Sequence, residues 1–194
     1  MAKQRTVQLT DPRALRALAH PTRLDLMSLL RRGEPLTATQ AGERTGESAA
    51  SCSFHLRQLA KYGLVEEAGG GHGRERPWRA TAISTEWAAR GADEEADAAG
   101  TLLNRVVVER YLQNAIGWLE RRGSEEAKWV EAAMISDALV YMTADELHEI
   151  DRKIRALFEP YLRRLEDREP AAAGARLVNL IALGFPLPES KGGG

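Results

Sequence analysis

Apolar positions three and four residues apart dominate this chain, and strict alternation is confined to short stretches, so helices should carry the fold. In DPRALRALAHPTRLDLMSLLRRGEPLT two helices follow one another. Asp11 stands where an N-terminal cap is needed and Pro12 at the first helical position. His20 precedes Pro21, which disfavours helical backbone and separates the two helices. The second, from about Thr22, turns Leu24, Leu26 or Met27, and Leu30 inward and ends at Gly33. LTATQAGERTG reads as a short helix capped by Thr37, with Ala38 and Ala41 slim enough for close packing and Gly46 at its end. From Ser48 to about Tyr62, Cys52, Leu56 and Leu59 share one face of a further helix. A short helix, a glycine turn and a second helix make a helix-turn-helix.

LVEEA and RPWRAT read as two short strands around the loop GGGHGRER, and a hairpin beside a helix-turn-helix is a wing. The stretch STEWAARGADEEADAAG then shifts to Ala, Gly and acid, which places a boundary near Gly91. Residues 1–90 form the winged helix-turn-helix domain, and 91–194 a C-terminal domain. That second part opens with a long helix from Thr101, apolar on two sides: Leu103, Val106 and Val107 on one, Val108, Leu112, Ile116 and Leu119 on the other. So wide a stripe meets more than one surface. MTADELHEIDRKIRALFEPYLRRLED carries a capping box of Thr143 and Glu146, then Leu147, Ile150, Ile154, Leu157, Tyr161 and Leu165, with a kink expected at Pro160. ISDALVYM and ARLVNLIALGF favour short buried strands flanking it, and the tail PLPESKGGG is expected to be disordered. The expected class is mainly α with a small β-wing, followed by a helical or α+β domain.

The net charge of −1 hides an asymmetry. Residues 1–90 hold 14 Lys and Arg against 9 Asp and Glu, a balance of +5, and residues 91–194 hold 13 against 19, a balance of −6. The first part suits a polyanion that the second would repel. One cysteine, Cys52, excludes an internal disulfide and a thiolate cluster. No apolar run approaches the length of a membrane span, and the N-terminus lacks a signal peptide's apolar stretch, so a cytoplasmic protein is expected.

LRALAHPTRLDLMSLL, ASCSFHLRQLAKYGLVEE and RERPWRAT, in that order and spacing, make residues 10–82 resemble the ArsR family of winged-helix transcriptional regulators. The acidic C-terminal half is similar to extensions that some members carry. The resemblance implies a homodimer on double-stranded DNA, commonly a repressor released by a small-molecule effector.

The candidate DNA contacts follow from residue type. Ser48, Ala50, Ser51 and Ser53 at the helix start are small enough for close approach to the major groove, and the helix N-terminus favours phosphate. Arg57 and Lys61, one turn apart, suit phosphate contact, and Arg74, Arg76 and Arg79 of the wing are placed to reach the adjacent minor groove or the backbone. Phe54 stands where relatives often carry a polar or basic residue; it either meets a thymine methyl or packs on a neighbouring element. His55 is expected to anchor the helix, and Cys52 to act as a small buried hydrophobe.

Metal sensing, which the resemblance invites, finds only Asp145, His148 and Asp151 as candidate ligands, on a face that reads first as the solvated side of an amphipathic helix, so no metal is expected. Tyr111, Trp118, Trp129 and Tyr141 are candidates for an effector pocket or for plain core. No phosphate-binding loop, nucleophile elbow or dinucleotide fingerprint occurs, so neither catalysis nor a cofactor is expected. The other class of reading, a winged helix used to bind protein, leaves the basic excess of the first part without a use.

Overall fold

The structure, a computed structural model, describes residues 4–32, 34–70, 76–166 and 172–188. Gly33, the wing-loop residues 71–75 and the tail from 189 lie outside the described residues. The elements run β1 (Gln4–Leu9), α1 (Pro12–Leu18), α2 (Pro21–Arg32), α3 (Ala38–Thr45), α4 (Ala49–Lys61), β2 (Val65–Glu67), β3 (Trp78–Ala80), β4 (Ala82–Trp87), α5 (Glu94–Arg121), α6 (Ala127–Ala132) and α7 (Ala144–Glu166), with a 3₁₀ turn at Arg122–Ser124. The chain is mainly helical with a small sheet component, a winged helix-turn-helix followed by helices.

Local chemistry sets the helix boundaries. Asp11 accepts from the Arg13 amide and caps α1, with Pro12 in the first turn. Pro21 opens α2, which buries Leu26, Met27 and Leu30 while Leu24 packs at the core's margin. Thr37 and Gln40 cap each other reciprocally at α3. The buried faces then converge on one cluster: Leu15 and Leu18 from α1, Leu26 and Leu30 from α2, and Cys52, Leu56 and Leu59 from α4. Val65 and Trp78 close it from the wing, and Ala99 and Leu103 from α5.

β2 and β3 form the expected antiparallel hairpin, with Val65 opposite Ala80 and Glu67 opposite Trp78. Leu36, just ahead of α3, exchanges both backbone hydrogen bonds with Trp78 at 3.0 and 2.8 Å and adds a one-residue bridge to the ribbon. Two further strands have no counterpart in the sequence reading. β1 pairs in parallel with β4, Gln4 against Ala82 through Leu9 against Trp87, so the whole helix-turn-helix and wing form the crossover. Thr6 and Ser84 hydroxyls meet at 2.7 Å across this pair, and Gln8 donates to Glu86 at 2.7 Å.

The chain divides into two compact units, 1–116 and 117–194. The first includes the start of α5, which begins at Glu94, ahead of the Thr101 expected from its apolar residues; Glu94, Glu95 and Asp97 in its first turn suit the helix N-terminus. In the second, α7 keeps its capping box, with the Thr143 amide donating to Glu146 at 2.7 Å and the Glu146 amide to the Thr143 hydroxyl at 3.2 Å, and runs on through Pro160. The strands expected in ISDALVYM and ARLVNLIALGF are absent: residues 133–143 and 175–188 carry no secondary structure. Neither has a neighbouring strand among the described residues, and backbone of high β-propensity becomes sheet only when a partner supplies the ladder. Arg176 instead holds Glu125 at 2.7 Å and lies 5.1 Å from the centre of the Trp129 ring. No described residue of this unit is buried, and Leu139, Tyr141, Leu177 and Phe185 are among its exposed apolar side chains.

Candidate nucleic-acid interface

The turn between α3 and α4 is built for close approach. Gly46 ends α3 in the left-handed region at φ 77°, where other residues are strained. A Cβ on Gly42 would sit 2.6 Å from the Glu47 carbonyl oxygen, so only glycine lets the α4 entry cross α3 here. Glu47 accepts from the Thr22 hydroxyl at 3.1 Å, which ties the turn to the start of α2. Ser48 then caps α4 by accepting from the Ser51 amide at 3.1 Å. Its hydroxyl is engaged in the cap, so its part at the interface is to set where α4 begins.

With Cys52, Leu56 and Leu59 fully buried, helical geometry fixes the opposite face. Ala50, Phe54, Arg57 and Lys61 fall on one exposed stripe, with Ser51 and Ser53 half-buried along its edges. Phe54 is 52% exposed, which settles its orientation: it stands on this stripe, with only its edge near the His55 ring, centroids 5.3 Å apart. His55 faces inward and lies against His20 with centroids 4.5 Å apart, pinning α4 to the α1–α2 junction. Burial, before the nearby Arg23, lowers the His20 pKa; burial and then His20 lower that of His55. The Cys52 thiol is enclosed, 3.7 Å from the Thr45 hydroxyl.

The wing carries its cations in pairs. Arg79 lies opposite Glu66 in the ladder and donates to it at 2.8 Å, and Arg76 donates to Glu67 at 2.8 Å. Either arginine must exchange a carboxylate for a phosphate to contact DNA, so among the described candidate contacts the cations without an ion pair are Arg57 and Lys61 on α4. Arg74 lies outside the described residues. The ion pairing of the wing arginines with Glu66 and Glu67, legible only once the strand register is known, is the feature that residue type alone missed.

Among the described residues no group of three or more His, Cys, Asp or Glu is placed to hold a metal, so Asp145, His148 and Asp151 are not gathered; Asp151 accepts from Arg155 at 2.7 Å. Of the four aromatics, Tyr111 lines a cavity in the first unit. In the second, the Trp118 and Trp129 rings are faced by Arg121 and Arg176, and Tyr141 is fully exposed. No helix among the described residues is long and apolar enough to cross a membrane.

Residues 18–68 match the family model described as Helix-turn-helix domain. That segment runs from the end of α1 through α4 to the first wing strand, the portion just assembled. No curated protein matches the chain. Among solved structures, the Mycobacterium tuberculosis MarR family protein Rv2887, in complex with salicylic acid, aligns at 14% identity over 76% of this chain and 87% of that one with a TM-score of 0.30, a likeness too slight to carry any argument.

Proposed function

We propose that this helix-turn-helix, DNA-binding regulator of transcription acts as a homodimeric repressor on a roughly palindromic operator, with α4 in the major groove and the wing beside it. The observation that carries the reading is the exposed stripe of α4. It starts at a helix N-terminus free of acidic residues, offers slender side chains first, and brings Arg57 and Lys61 onto the same side. A major groove about 12 Å wide admits a helix presented in this way.

Dimerisation is supported by the second unit. Apolar side chains such as Leu139 and Leu177, 80% and 68% exposed, have no core of their own to enter. Exposed apolar surface on this scale marks an association site, and symmetric pairing with an identical chain covers it on both sides. Two copies of α4 then read two half-sites about one helical turn apart. Repression needs only occupancy, so the reading assigns no catalytic residue and no ArsR-type metal.

Arg57→Ala tests the DNA contact. Affinity for selected operator and for unrelated DNA should fall together, and the slope of log affinity against log salt should flatten by about 0.9, the share of one phosphate. An unchanged slope, measured by fluorescence anisotropy across a salt series, counts against the placement of α4 on DNA.

A further inference from the structure

Two stretches of the second unit carry strand chemistry without a ladder. Residues 134–142, MISDALVYM, and 176–185, RLVNLIALGF, contain no helix, turn or bend. Along both, no amide or carbonyl has a backbone partner among the described residues. β-Branched and other apolar residues dominate them, and the single charge in each is Asp137 and Arg176. Pro186 and Pro188, which have no amide to give, close the second stretch at Phe185. The two share one compact unit and do not pair with each other.

A run such as LVNLIAL, polar only at Asn179, has the composition of a strand covered on both faces. α7 backs it at one point, where a Cβ on Gly184 would stand 3.0 Å from Leu147 Cδ1. Elsewhere it is open, with Leu177 and Phe185 each 68% exposed. The first stretch ends at an open groove lined by Tyr141 and Met142 together with Glu149, Ile150 and Lys153 of α7. Each stretch exposes six large apolar side chains. At roughly 60–120 Å² for a side chain of this kind, the twelve with their backbone present on the order of 1,000 Å², against the about 800 Å² that each partner buries in a stable complex.

We propose that these stretches are the strands through which two copies of this chain join: each takes its ladder from the second unit of the other copy, so the sheet exists only in the dimer. This rests on the homodimer proposed above and on nothing about DNA. Unpaired strand backbone is a site of strand addition, and the added strand must bring both hydrogen bonds and apolar cover. An antiparallel pair is symmetric about a two-fold axis, so a strand that meets its own copy satisfies the amides and carbonyls of both with one sequence. Charge points the same way. Residues 117–194 hold 11 Lys and Arg against 14 Asp and Glu, a balance of −3, which suits neither an anionic lipid surface nor an acidic partner. The stretches themselves, with one charge each, bring almost no like charges together when two copies meet.

Hydrogen exchange of the full chain, read by mass spectrometry over a dilution series whose dimer fraction is set by sedimentation, tests the assignment. Amides of residues 134–142 and 176–185 should exchange about tenfold or more slowly in the dimer than in the monomer. Leu180→Pro and Ile181→Pro each remove one amide, and neighbouring amides of a strand point to opposite edges. At least one of the two should therefore weaken the dimer by about tenfold or more. The exchange measurement on the unsubstituted chain decides the matter if either variant does not fold. A dimer whose two stretches exchange as fast as in the monomer, or one that both proline variants form equally well, overturns the strand assignment and leaves the homodimer standing. A chain that is monomeric at every concentration removes the homodimer and the strands together. Protection gained only on phosphatidylglycerol vesicles gives the stretches to a lipid surface and likewise overturns the proposal.

Discussion

Phe54 and Arg57 stand side by side on the outer face of α4 but can do different work on DNA. The ring offers contact area and no hydrogen bond, so it can discriminate through a thymine methyl, whereas the guanidinium reaches any phosphate. Phe54→Gln should therefore change the order of preference among operator variants by about 1 kcal/mol at the affected base pair while leaving the salt slope as it is. Competition binding on a panel of single-base variants reads this directly; an unaltered ranking would remove Phe54 from base contact. The orientation follows from burial of Cys52, Leu56 and Leu59, because a residue two after the first and two before the second must point away. The spacing of four and three made the buried face legible in the sequence but left Phe54 open, because a ring beside that face could equally have packed on a neighbouring element. The neutralised wing arginines were not legible, since Glu66 meets Arg79 only through a strand register that no local pattern records.

Among elements, the junction of α1 and α2 with α4 is held by two imidazoles that are buried more than their solvation favours. The Nδ1 atoms of His20 and His55 are buried without a hydrogen-bond partner. Both pKa values lie below the ordinary 6.5, so the folded chain binds fewer protons than the unfolded one as pH falls below that value. Stability contributed here is fully present above about pH 6.5 and declines as pH drops towards the folded values. The urea midpoint should accordingly fall between about pH 7.5 and pH 5, and less steeply in the doubly substituted His20→Gln, His55→Gln chain. Equal slopes in both chains would assign the decline to other groups. Helices were well specified at this scale because caps and apolar spacing are local: Asp11, Thr37, Ser48 and Thr143 each start a helix where they stand. Strands were not. β1 has its partner 78 residues away, and the apolar stretches around Leu139 and Leu180 have strand-like composition with no strand to join among the described residues.

For the whole molecule, the position at which the chain is cut should decide what survives. Ending it after residue 90 removes Ala99 and Leu103, both fully buried against the helix-turn-helix, and loss of one such leucine alone costs about 2–5 kcal/mol. A chain ending at Ile116 keeps the first compact unit entire. The shorter piece should unfold at distinctly lower urea, and the longer should stay folded but sediment as a monomer, having lost the apolar segments of the second unit. A stable dimer of residues 1–116 would move the association surface into the first unit. The parallel pairing of β1 with β4 bears on the chain's birth as well as its stability. β1 leaves the ribosome before β4 and must wait until the wing has been synthesised before it finds its partner, and so long a closure is slow. The helix-turn-helix is thus assembled with an open seam, and an N-terminal fusion that occupies β1 in the interval would be felt at the wing, the far end of the crossover.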